Sequence, residues 1–276
     1  MRSAEIAEIL REIDASIRKG ETRRAAIRIT EISKSARNLP RRQALELAAL
    51  ARRAYVPQIS IQLLRPWVRP SSARFVEAEP EEKIEFAASL IQLGARSEGR
   101  ELLNSVDHRK FPERDLFASF ALFSVWDYGA AIPLLRRYCE HAALSDYSRL
   151  VAKANLAAAL VHEKCLEEAR ALLTELEADT RAGGFTLLLQ NVLKLEAERS
   201  IYAQDFVRAE SYLQAAHELS GKSPLDDLYL DKWRAIAKVS RCASVDAILE
   251  MRKVRQRAHD LSEWEAVRDL ARISHR

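Results

Sequence analysis

The feature that most constrains this chain is a column of small residues recurring through it. Ala25, Ser60, Gly99, Ala131, Ala169, Ala209 and Ala247 lie 32 to 40 residues apart. Four positions after each stands an apolar residue: Ile29, Leu64, Leu103, Leu135, Leu173, Leu213 and Met251. Seven positions after stand Ile32, Trp67, Val106, Tyr138, Leu176, Ala216 and Val254. Twelve positions before stand Ile13, Ala48, Ala87, Ser119, Ala157, Ala197 and Ala235, of which all but Ile13 are small. The period-3.6 pattern around each anchor predicts an amphipathic helix, and the small residue twelve back predicts a second helix packed closely against it.

The clearest copy is SDYSRLVAKANLAAALVHEKCLEEARALLTELEADT, Ser145–Thr180. Leu150, Ala154, Ala157 and Val161 share one face of its first half, and Leu166, Ala169, Leu172, Leu173 and Leu176 recur at helical spacing in its second. With a short break at His162–Lys164, two such helices must fold back as an antiparallel pair. The stretch resembles the tetratricopeptide repeat, which has a small residue in its first helix and another twelve positions later. The resemblance implies an all-α, right-handed α-solenoid of about seven antiparallel helix pairs plus a C-terminal capping helix. It covers nearly the whole chain and is tightest over residues 112–220.

Reading outward from that copy, the pairs run Ala4–Arg18 with Thr22–Arg37, Arg41–Tyr55 with Gln58–Arg65, Glu81–Leu93 with Arg96–Val106, and Pro112–Val125 with Tyr128–Ala142. After the defining copy come Phe185–Tyr202 with Phe206–Leu219, then Pro224–Arg241 with Val245–His259. Pro66 is expected to end or kink its helix. Trp67–Pro80 reads as a long loop or hinge within a single repeat domain spanning 1–276. Ser262–Ile273, with Trp264, Val267, Leu270 and Ala271 on one side, is the natural cap of a repeat stack.

Composition narrows the function classes. The chain is 48% hydrophobic and 30% charged, with few glycines and prolines, as suits a helical protein in water. No stretch approaches the apolar length of a membrane span, and the N-terminus mixes charge into an amphipathic helix, unlike a secretory signal. Cys139, Cys165 and Cys242 are odd in number and form no CxxC, which points to reduced thiols and a cytoplasmic setting. HExxH, GxSxG, P-loop and GxGxxG patterns are absent, so no enzyme chemistry is expected. His162 and Cys165 lie close in sequence, but a predicted turn separates them and no second ligand pair follows, so no metal or cofactor is expected.

What remains is the holding of partners. In tetratricopeptide arrays the first helix of each pair lines the concave face, which implies partner contacts at Phe120, His162, Asn191, Lys194, Tyr202, Tyr229 and Lys232. Aromatic rings beside amides and amines can hold an extended peptide or a partner helix; the plainer alternative makes Phe120 core and the lysines solvated. Charge adds a second candidate surface, because residues 1–76 hold sixteen Lys or Arg against seven Asp or Glu. Arg42, Arg52 and Arg53 are expected to share one face there and to suit an acidic protein or nucleic acid, against the alternative of an ordinary solvated surface. Two function classes follow: an interaction scaffold that binds a protein or peptide in its groove, or the sensing half of a regulator similar to bacterial tetratricopeptide transcription factors.

Overall fold

The protein is described here by a computed structural model over residues 3–34, 39–70, 77–219, 224–261 and 263–274. Among these residues there are fifteen α-helices and no strand. They run α1 (Ser3–Arg18), α2 (Thr22–Ser33), α3 (Arg41–Arg53), α4 (Pro57–Val68), α5 (Pro80–Gln92), α6 (Arg96–Asn104), α7 (Glu113–Phe123) and α8 (Tyr128–Cys139). Then follow α9 (Asp146–His162), α10 (Leu166–Ala182), α11 (Thr186–Tyr202), α12 (Phe206–Glu218), α13 (Pro224–Arg241), α14 (Val245–Asp260) and α15 (Trp264–Ser274). Two compact units divide the chain, residues 1–152 and 153–276.

The repeating columns are the core. Ser60, Ala131, Ala169 and Ala209 are 0% exposed, as are Ile29, Leu64, Leu135, Leu173 and Leu213 four residues on. Ala48, Ala87, Ser119, Ala157, Ala197 and Ala235, twelve residues before their anchors, are also 0% exposed. Side chains this small let two backbones approach until nothing larger fits. At Gly99, an added methyl group would lie 2.8 Å from the carbonyl oxygen of Ala87. Where α4 meets α5, the buried Ser89 hydroxyl donates to that of Ser60 at 2.8 Å.

One further column appears only in the backbone. Gly20, Tyr55, Gly94, Trp126, Lys164 and Gln204 all have φ between 61° and 90°, and each stands five residues before its anchor. The next amide in each turn reaches back to the carbonyl five residues earlier, as Val56 does to Ala51 and Cys165 to Leu160, both at 2.9 Å. That left-handed residue with its long hydrogen bond closes the first helix and aims the chain back along it. Four of the six are not glycine and carry the steric cost of that conformation.

The first helices of successive pairs also touch each other. In the N-terminal unit α1 packs on α3, α3 on α5 and α5 on α7; in the C-terminal unit α11 packs on α13 and α13 on α15. α15 buries Ala266 and Leu270 at 0% exposure while also resting on α14. Of the two outcomes expected at Pro66, an end to the helix is excluded, because α4 passes through it to Val68. Pro66 removes one donor near the helix end, yet Arg69 still donates to the carbonyl of Arg65 at 2.9 Å, so the last turn closes. Trp67 and Val68 therefore belong to α4 rather than to a loop, and residues 71–76 of the expected hinge lie outside the described residues.

Candidate functional site

In the C-terminal unit one face of α11 carries Asn191, Lys194, Glu198 and Tyr202, at helical offsets of three, seven and eleven. Asn191 is exposed, Lys194 and Tyr202 are half-buried, and Glu198 is only 4% exposed. Against this face α9 brings His162, whose Nδ1 lies 3.5 Å from Glu198 Oε1. From α13 come Tyr229, Lys232 and Trp233. The Lys232 ammonium sits 4.3 Å from the Trp233 ring centre and 4.9 Å from that of Tyr229, and donates to Asp269 of α15 at 3.0 Å. Tyr202 meets Trp233 edge-on with ring centres 6.3 Å apart, and Lys164 covers the Tyr202 ring. The Tyr229 hydroxyl lies 3.2 Å from a Glu263 carboxylate oxygen and donates to it.

Burial sets the charges in this cluster. The Glu198 carboxyl is pushed up to about 8 by desolvation, which the Lys232 charge and a hydrogen bond from Tyr202 reverse only in part. Desolvation pulls His162 down to about 4. Near neutral pH the two therefore meet uncharged, and their contact is not an ion pair. Asp269 behaves differently: burial would raise it, but Lys232 and Arg268 together hold it below the usual carboxylate range. The cluster thus contains one ionised, compensated pair and one neutral carboxyl whose Oε1 makes no hydrogen bond.

The predicted contact residues separate accordingly. His162, Tyr202, Tyr229 and Lys232 are brought together, with Asn191 and Lys194 farther along the same face of α11. Lys232 is 2% exposed, so it is a buried ion-pair partner rather than a solvated lysine. Phe120 belongs to the N-terminal unit, where it is half-buried between Phe117 and Phe123 at ring distances of 5.7 and 6.3 Å. Sequence reasoning missed Glu198, Arg268 and Asp269. Glu198 lies on a helix buried nearly all round and was not among the contacts that the resemblance implied, and the acidic partner of Lys232 comes from α15.

The three arginines are engaged differently. Arg42 is 90% exposed and reaches only Glu46, one turn on, at 3.4 Å. Arg52 crosses from α3 to Glu85 of α5 at 2.6 Å and lies over the Phe117 ring of α7 at 4.5 Å. Arg53 turns the other way, to Asp14 of α1 at 2.5 Å, and Asp14 also accepts from Arg18 at 2.7 Å. Arg41, which the expectation passed over, pairs with the 1%-exposed Glu82 at 2.5 Å. Arg41, Arg52 and Arg53 are thus directed inward, between neighbouring first helices, while Arg23, Arg24, Arg28 and Arg42 stay exposed.

No family model matches this sequence, and no curated protein does. Solved structures do. A Rap protein complexed with Competence and Sporulation Factor is similar over 99% of this chain and 98% of its own, with a TM-score of 0.53 at 15% identity. The C-terminal part of a TPR repeat-containing protein from Cytophaga hutchinsonii aligns over 95% of this chain and 99% of its own, with a TM-score of 0.42 at 10% identity. Among the described residues no helix is long and apolar enough to cross a membrane. With its anchor columns buried and its first helices in contact, the chain has an all-α fold of the tetratricopeptide-like helical-repeat kind.

Proposed function

We propose that this protein is a non-catalytic interaction scaffold, acting in the cytoplasm, whose C-terminal unit holds a peptide segment of a partner along α11 and α13. The observation that carries the reading is the open part of the α11 face. Asn191 is exposed while Lys194 and Tyr202 are half-buried, on a helix otherwise sealed nearly all round, and Tyr229 of α13 is half-buried as well. An asparagine amide offers both donor and acceptor to a peptide backbone, and aromatic rings supply rigid apolar contact. The Rap fold relative carries a bound factor, which supports the same use of the fold here.

The test is to purify the protein with whatever segment it retains and identify that segment by mass spectrometry. The synthetic peptide is then titrated calorimetrically against wild type, Asn191→Ala and Lys194→Glu. Both variants should bind about tenfold or more weakly with helicity unchanged. Equal affinity in all three proteins would end the reading. Binding by an acidic protein or nucleic acid through Arg42, Arg52 and Arg53 gains no support, since all three meet carboxylates of this chain and two of them are largely buried.

A further inference from the structure

We propose that the contact of His162, Glu198, Lys232 and Asp269 is a proton-dependent latch, which keeps the first helices of the C-terminal unit closed while Glu198 holds its proton and loosens them when it is lost. The proposal is independent of the peptide reading. It rests on where these groups sit: one on each of α9, α11, α13 and α15.

The Glu198 carboxyl is enclosed, its Oε1 has no hydrogen bond, and His162 Nδ1 lies 3.5 Å from that oxygen. α9 and its following turn bring His162 and Lys164, α11 itself brings Tyr202, α13 brings Lys232, and α15 brings Arg268 and Asp269. On its far side α11 carries a separate pair, Glu196 with Arg199 at 2.8 Å, attended by Glu177 of α10 and Arg208 of α12. Lys232 is the cation best placed to meet an ionised Glu198, but it is already committed to Asp269 at 3.0 Å. A proton leaving Glu198 therefore places a second carboxylate around one buried ammonium. Desolvation penalises that state, and separating the helices so that water reaches the carboxylate relieves it.

The direction follows from linkage. The closed state holds the proton to about pH 8, whereas a hydrated carboxyl releases it near 4.5. Between those limits the opening equilibrium rises about tenfold for each pH unit, then levels off once the closed state ionises too.

The experiment is amide hydrogen exchange on the full chain, read by mass spectrometry from about pH 6 to 8 and corrected for intrinsic rates, with N-terminal-unit peptides as internal reference. Opening of the C-terminal half of α11 and of the start of α13 should rise about tenfold per pH unit relative to that reference. Glu198→Gln, which keeps the shape of the neutral carboxyl, should flatten the rise. A flat wild-type profile overturns the latch, and so does a slope that survives in Glu198→Gln. Should that variant not fold, Glu198→Leu and the wild-type profile decide by the same criteria.

Discussion

Arg52 reaches from α3 to Glu85 on α5 at 2.6 Å, and the two side chains are 16% and 8% exposed. Such a pair is costly to break from one side, because the remaining carboxylate stays buried. Arg52→Glu should therefore lower unfolding free energy by about 3–5 kcal/mol. Arg42→Glu, on a side chain 90% exposed, should change it by less than about 0.5 kcal/mol. Urea unfolding of the two variants checks this; equal losses would mean the Arg52 pair is not what the geometry says.

Lys232 and Asp269 make a similar case in the C-terminal unit. Asp269→Asn removes the ammonium's present counter-charge and leaves Glu198 as the carboxyl that must ionise to replace it, so it should destabilise by up to about 3–5 kcal/mol. Replacing both, as Lys232→Met with Asp269→Leu, should recover most of that loss, since it removes two desolvated charges together. A double variant no better than Asp269→Asn would show that the ion pair itself contributes the stability.

The two neutral groups predict a pH profile. The folded state keeps the Glu198 proton to about 8, against an ordinary 4.5, so its contribution to stability falls as pH rises across that window. His162 stays neutral in the folded state down to about 4, against 6.5, so its contribution falls as pH drops from 6.5 to 4. From 4.5 to 6.5 the slopes oppose, and these two groups together leave a plateau. From 6.5 to 8 the loss is about 1.4 kcal/mol per pH unit, while the acid limb is confined to the half-unit between 4.5 and 4. Glu198→Gln should abolish the alkaline limb and His162→Gln the acid one, read from urea midpoints against pH.

Turn chemistry gives a prediction in the stabilising direction. Gln204 has φ of 62° and lies at the exposed turn between α11 and α12. Gln204→Gly should raise stability by up to about 1 kcal/mol, because glycine adopts that conformation without strain. Gly99→Ala should do the opposite, by about 1–3 kcal/mol, since the new methyl meets the Ala87 carbonyl oxygen. Thermal melts of the two variants moving in the same direction would contradict the repeat geometry.

The pairing of helices was readable because it depends on residues repeated at fixed offsets. Ala169, Leu173 and Ala157 state the rule once, and Ala209, Leu213 and Ala197 state it again. The left-handed turn residue escaped notice because its column reads Gly, Tyr, Gly, Trp, Lys and Gln, which no side-chain property unites. The charged contacts were hidden for another reason. Arg41 meets Glu82, Arg52 meets Glu85 and Lys232 meets Asp269 across 33 to 41 residues, and none of these contacts recurs at the repeat offset. For the candidate site, the aromatic and basic members could be named from their helices, but Glu198 became visible only when three neighbouring helices closed over it.

Those non-recurring contacts also bear on how the repeats find their order. Small residues at the anchors would let nearly any pair nest against any other, so the columns alone leave the order of assembly ambiguous. Arg41 and Arg52, eleven residues apart on α3, match Glu82 and Glu85, three residues apart on α5. α3 docked against another first helix would leave Arg52 without this carboxylate and Glu85 buried without its guanidinium. The ion pairs thus act as serial numbers on otherwise interchangeable parts, making shuffled or domain-swapped stacks energetically distinct from the native one.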